Sequence, residues 1–201
     1  LISGPLATST IKAASEQPPT NHATWALLVR VGGGVRSIER QVNEIVGAAG
    51  AASAAGYSVL FDVSAKAAWD HLDDAESNAQ IVVRMNSRTS ETLNASEVIC
   101  GSASTLGSEV STISDLGFGA LTVLGSSDGY SDTAAISFTN SVVGTVSKYQ
   151  SSFVIEKCPV AVKHQLDVFS DVGSSLDVMR RVKAQYDPAN TLNPGRFAGK
   201  I

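Results

Sequence analysis

Short apolar segments with alternating character are interleaved along this chain with segments of helical period, and that order limits the folds open to it. Trp25–Val31 alternates apolar residues at Trp25, Leu27, Val29 and Val31 with Ala26, Leu28 and Arg30, as a half-buried strand does. After Gly32-Gly33-Gly34, Val35, Ile38, Val42, Ile45 and Val46 return at three- and four-residue spacing and predict a helix. Small residues from Gly47 to Gly56 follow, then an expected strand at Tyr57–Val63 and a helix capped by Ser64 that closes in Asp73-Asp74-Ala75-Glu76. Strands are expected at Ile81–Met85 and Ser152–Glu156, and an antiparallel pair at Glu109–Ser114 and Gly119–Leu124 around Leu116-Gly117-Phe118. Helices are expected from Ser90 to about Ile99, from Asp132 to about Tyr149, and from Pro159 as first helical residue. Gly125–Tyr130 is a turn cluster. Helices mixed with short strands and a strand hairpin predict an α+β fold. We expect an antiparallel sheet covered by helices, ferredoxin-like, single or duplicated, rather than a doubly wound parallel sheet.

The stretch Ser174–Arg196, SSLDVMRRVKAQYDPANTLNPGR, closes the chain with a helix, a forced stop and a stiff turn. Ser174 is the expected N-cap with Asp177 in a capping-box relation. Leu176, Met179, Val182, Lys183 and Tyr186 make one largely apolar face, and Arg180, Arg181 and Lys183 sit where the helix dipole favours cations. Pro188 stops the helix and restricts Asp187 before it. Asn193-Pro194-Gly195 is a turn signature that displays Arg196.

With 201 residues the chain can hold one sizeable core or two small subdomains sharing a sheet. A net charge of −4 argues against nucleic-acid binding as its main task, and no apolar run is long enough to span a bilayer. The two cysteines, Cys100 and Cys158, form neither a disulfide framework nor a metal motif, so reduced buried thiols in a cytoplasmic protein are expected. The opening residues from Leu1 to Trp25, with Gln17-Pro18-Pro19-Thr20, look like an inter-domain connection in a longer protein.

No self-sufficient active site is visible. His22, His71 and His164 are far apart in sequence, and a solvent-facing role is expected of each. GGGVRS lacks the third glycine of a dinucleotide fingerprint and the Gly-Lys-Ser/Thr of a P-loop, so it is taken as a turn. Asn94-Ala95-Ser96 matches a glycosylation acceptor by chance spacing. The remaining candidates are cations and an amide at structure ends. Arg84 could grip a carboxylate bidentately or pair with acids at the sheet surface; Lys163 could be a ligand or a solvated lysine; Asn193 and Arg196 border the rigid turn.

The basic helix running into Asp187-Pro188 and Leu192-Asn193-Pro194-Gly195-Arg196 resembles the C-terminal end of FAD-linked oxidases of the vanillyl-alcohol-oxidase type. It is most similar to the glycolate-oxidase FAD-binding subunit and related 2-hydroxy-acid oxidoreductases. VIEKCPVAVKHQLDVFSD resembles a further stretch of that family, with Phe169-Ser170 where Trp-Gly is usual, and WALLVRVGGGVRSIERQVNEI resembles the first strand and helix of its C-terminal domain. The resemblance implies that residues 1–24 are the tail of an FAD-binding domain and a linker, and 25–201 the substrate or cap domain over the flavin. It also implies a small 2-hydroxy acid such as glycolate or lactate as substrate, and FAD held mainly by an N-terminal domain. An iron–sulfur electron-transfer subunit is a further implied partner. On this basis Asn193 and Arg196 would lie near the flavin, and Arg84 and Lys163 would face the anionic substrate or the domain interface. The His-x-Gly-Asp-Gly-Asn metal motif of the D-lactate and D-2-hydroxyglutarate dehydrogenase branch is missing, which favours the metal-free branch. The competing expectation is a ferredoxin-like binding or interaction module with no chemistry of its own.

Overall fold

A computed structural model describes residues 1–14, 25–105, 109–125, 131–149 and 151–201. In chain order the elements are β1 (Ile2–Ser3), α1 (Pro5–Ala14), β2 (Trp25–Ala26), α2 (Val35–Ala51), α3 (Asp62–Asn78), β3 (Ile81–Asn86) and α4 (Thr89–Thr105). They continue with β4 (Val110–Asp115), β5 (Ala120–Gly125), α5 (Asp132–Lys148), β6 (Ser152–Lys157), α6 (Val160–Gln165), α7 (Ser175–Tyr186) and a last 3-10 turn at Ala198–Lys200. The linker prolines, His22 and most of the 125–130 turn lie outside the described residues.

The described residues form a six-stranded sheet in the order β2-β1-β4-β5-β3-β6, antiparallel throughout. The run β3-α4-β4-β5-α5-β6 is one complete ferredoxin-like unit: its strands lie in the order β4-β5-β3-β6, and both of its helices cover the same face. The fold is α+β, as the interleaved pattern predicts. Among the described residues the unit occurs once; β1 and β2 extend the sheet beyond β4 and do not build a second copy. Residues 1–14, expected as the tail of a preceding domain, supply a strand and a helix to this sheet.

Side-chain alternation along β3 divides the protein into two cores. Ile81, Val83 and Met85 meet Ile99 of α4, Phe138, Val142 and Val146 of α5, and Val162 of α6. Val82, on the opposite face, joins Ile2, Leu6 and Ala7 of the N-terminal segment and Leu72 and Ala79 at the end of α3. The first core also carries a hydroxyl seam: Thr112 of β4 bonds Ser3 and Ser96, each at 2.6 Å, so α4 packs there through polar contacts that are internally satisfied. The β4–β5 turn requires Gly119, whose φ is +71° and whose place leaves no room for a Cβ, since one would lie 2.1 Å from the carbonyl oxygen of Ser87.

Several boundaries differ from expectation. No strand forms at Tyr57–Val63; residues 57–61 are irregular, with Tyr57 and Phe61 exposed, because an alternating pattern supplies no ladder partner by itself. The next helix starts at Asp62, and Ser64 acts from its third position, with its hydroxyl donating to the Phe61 carbonyl at 2.8 Å. The strand expected over Trp25–Val31 shrinks to the edge strand β2, and its faces are the reverse of those expected: Ala26 and Leu28 turn toward the second core while Leu27 and Val29 are exposed. Pro159 is the N-cap of α6, one residue before the first helical position. Helix α2 forms where periodicity places it and extends to Ala51, yet none of its residues is buried.

Burial separates helices that stabilise the fold from helices that do not. Phe138 is 1% exposed and lies in the main core, whereas Val178 of α7 is 52% exposed. Phe138→Ala should therefore cost about 3–5 kcal/mol in urea unfolding, while Val178→Ala should stay within about 0.5 kcal/mol of the parent.

Candidate functional site

The C-terminal segment is fixed to the sheet from the side of β6. Val168 and Phe169 run beside that strand: Ile155 N–H donates to the Val168 carbonyl at 2.7 Å, and Ser170 N–H to the Phe153 carbonyl at 3.0 Å. Phe169 then packs against Phe197 with ring centroids 5.4 Å apart, and Asp167 accepts from Gly199 N–H at 3.2 Å. The last residues are thereby brought back over the start of α7, where Gly199 sits against Leu176. Helix α7 keeps Leu176, Met179 and Lys183 half-buried, and presents Val178, Val182 and Tyr186 outward. Ser174 stands before it in helical conformation and makes no side-chain cap bond, so the expected capping box does not form.

The helix ends in a carboxylate cage. Asp187 is 6% exposed although its neighbours 188–197 are all exposed. One of its oxygens accepts Thr191 N–H at 2.9 Å and the Thr191 hydroxyl at 3.1 Å; the other accepts Leu192 N–H at 2.9 Å. Lys183, one helical turn earlier, places its ammonium 2.6 Å from the second oxygen and also donates to the Leu192 carbonyl. The Lys183 bond, followed by the backbone amides of Leu192 and Thr191, holds the Asp187 carboxyl far below the usual carboxylate range. Asn190 and Asn193 take positive φ of +50° and +47°, a conformation asparagine tolerates better than most residues, and Arg196 N–H closes the turn on the Asn193 carbonyl at 3.2 Å. Sequence reasoning missed this cage. Its signal was the four-residue spacing of Lys183 and Asp187 together with the Thr-Leu pair four and five residues beyond.

Of the sequence candidates, Asn193 and Arg196 come together in this turn, exposed, and among the described residues neither side chain makes a hydrogen bond or ion pair. Lys163 is exposed on α6 and is likewise unpaired among the described residues. Beside it the half-buried Cys158 thiol is pushed up by burial, an effect that Lys163 opposes. Arg84 lies on the other face of the sheet and donates four hydrogen bonds to neighbouring side chains. Its guanidinium bonds Glu156 at 2.8 and 3.1 Å, Glu76 at 2.6 Å and the Thr122 hydroxyl at 3.1 Å, so pairing with surface acids is the alternative the structure shows. Because α6 packs into the α4/α5 face, Arg84 and Lys163 do not converge.

Next to Arg84 is an open groove of about 360 Å³ lined by Asp73, Glu76, Ser77, Val82, Glu156 and Lys157. Its acids outnumber its cations, and Lys157 is bonded to the Ser77 carbonyl at 2.8 Å, so a carboxylate ligand there would meet repulsion. His71 is not solvent-facing in the expected sense: it is half-buried and joins Ser9 at 2.9 Å, linking α3 to α1. His164 is exposed. Gly32-Gly33-Gly34 forms an exposed turn ahead of α2, as expected. No helix among the described residues is long and apolar enough to cross a membrane, and none of their acidic, His and Cys side chains cluster in threes to hold a metal.

The Asp187 cage has a definite pH signature. A carboxyl whose folded value is depressed contributes stability that is complete above the unfolded value near ~3.9 and is lost as pH falls toward the folded one. The stability deficit of Asp187→Asn should therefore be constant from about pH 7 to about pH 5 and shrink below about pH 4. Denaturant unfolding of both proteins across that range measures it, and a deficit that grows on acidification would contradict the cage.

Residues 171–197 match the family of FAD linked oxidases, C-terminal domain. The matched span is α7, the Asp187 cage and the turn that carries Asn193 and Arg196. No curated protein and no solved structure matches the chain. The match supports the C-terminal domain of an FAD-linked oxidase, and with it oxidoreductase chemistry that uses FAD.

Proposed function

We propose that this chain is the substrate or cap domain of an FAD-dependent oxidoreductase acting on small 2-hydroxy acids such as glycolate or lactate, and that an N-terminal domain binds most of the FAD. The observation that supports the reading is the coincidence of the family match with an exposed turn in which, among the described residues, the Asn193 and Arg196 side chains make no hydrogen bond or ion pair. Asn193 and Arg196 offer amide and guanidinium donors to an acceptor-rich surface, which fits the edge of a flavin or its phosphates. FAD, when bound, accepts the hydride in such oxidations. The chain's own part is to orient the substrate, to exclude water and to hold the partner domain in place. Lys163 keeps a free charge for an anionic substrate or for the interface; Arg84, neutralised by Glu76 and Glu156, serves instead to tie α3 to β3 and β6.

A second reading keeps support from the fold itself. A ferredoxin-like sheet with an open, acidic groove beside Arg84 also suits an interaction module without chemistry. One experiment separates the two. The chain is combined with an FAD-loaded N-terminal domain of the same oxidase, and glycolate or lactate is added without oxygen. Bleaching of the flavin absorbance only when the chain is present is the expected result, and Arg196→Ala should weaken association by about tenfold or more. Firm association without bleaching by either acid would refute the substrate class. Absence of association would favour the module.

A further inference from the structure

The cage at the end of α7 is built more heavily than stopping a helix requires. Pro188 alone denies the helix a continuation. Yet Lys183 and Asp187 together bind Thr191 and Leu192, the residues immediately before Asn193. Asp187 is almost fully buried in an otherwise exposed segment, and besides Lys183 its carboxylate oxygens accept from Thr191 and Leu192 of that segment. Beyond it, the Asn193 carbonyl to Arg196 amide bond and Gly195 at φ +70° set the direction in which Arg196 leaves the backbone.

We infer that Lys183, Asp187 and Thr191 are positioning residues: they hold the Asn193–Arg196 turn in its display geometry before any partner binds. The inference rests on the proposed role of that turn as the part that meets the flavin-bearing domain. It adds the reason a short exposed turn could act there, since an ordered element does not lose conformational freedom again on docking. Its chemistry also explains why the pair is Lys and Asp. The carboxylate gathers two consecutive amides, and the ammonium neutralises it while binding the Leu192 carbonyl between Asp187 and the turn. Removing either partner should release Thr191 and Leu192 first, and the turn with them.

Amide hydrogen exchange on the 201-residue chain tests this without any flavin, so its outcome is independent of the oxidase reading. In Asp187→Asn and Lys183→Met, the amides of Thr191, Leu192 and Arg196 should exchange about tenfold faster or more, while those of Val83 and Val123 keep their rates. Lys183→Arg, which retains the cation, should restore much of the protection at Arg196. Arg196→Ala should leave Thr191 and Leu192 unchanged. Faster exchange at Thr191 and Leu192 with Arg196 unaffected would overturn the positioning role, and so would equal acceleration of the core amides. Should Asp187→Asn fail to fold, the Lys183 pair carries the same comparison.

Discussion

Strand β3 is paired on both sides and covered on both faces, and the rest of the fold is arranged around that constraint. Ile81, Val83 and Met85 are completely buried against α4 and α5, and Val82 is buried against the N-terminal segment and α3. A strand so enclosed tolerates a charge only where partners reach it. Arg84 meets that condition through Glu76 of α3 and Glu156 of β6, each of which keeps 36–40% of its side chain exposed. Pairs this open to solvent contribute modestly, about 1 kcal/mol or less each, so the triad fixes the seating of α3 more than it stabilises the domain. The same pairing commits most of the guanidinium's donors to protein acceptors.

What β3 does for the sheet, Asp187 does for the C-terminal segment. The two solve different problems: one buries apolar surface from both sides, the other organises a stretch with almost no apolar surface to bury. Between them stands β6, whose outer side is flanked by Val168 and Phe169 and, through Phe169, by Phe197. Helix α7 is thereby attached at its start by Leu176 and Gly199 and at its end by the cage, while Val178, Val182 and Tyr186 remain outside. A helix fixed this way holds an apolar stripe and a cationic turn in one orientation, which suits a docking edge.

Where a local pattern and a tertiary partner coincide, the sequence was enough to find the element. Ile81–Asn86, Ala120–Gly125 and Asp132–Lys148 fall close to their expected bounds because alternation or helical period there matches a neighbour that buries the apolar face. Tyr57–Val63 shows the opposite case, a good alternating pattern with no ladder beside it. Trp25–Val31 shows a third, in which pairing with β1 at the sheet edge selects the face holding Ala26 and Leu28 over the more apolar one. At the candidate site, Asn193 and Arg196 were legible from turn chemistry. Asp187 was not, because its role lies in bonds to residues four and five positions later, and a carboxylate before a proline looks the same whether it faces water or a cage. Arg84 was ambiguous for a related reason: alternation places it on a face but does not say that Glu76 and Glu156 arrive there.

In the proposed function, residues 175–196 are a docking edge for a flavin-bearing partner. The most direct measurement is a hydrogen-exchange footprint of the chain with and without an FAD-loaded N-terminal domain. New protection is expected over α7 and the turn through Arg196, with the Asp73–Glu76 side of the sheet unchanged. Protection centred on that acidic groove, with α7 and the turn unaffected, would contradict it.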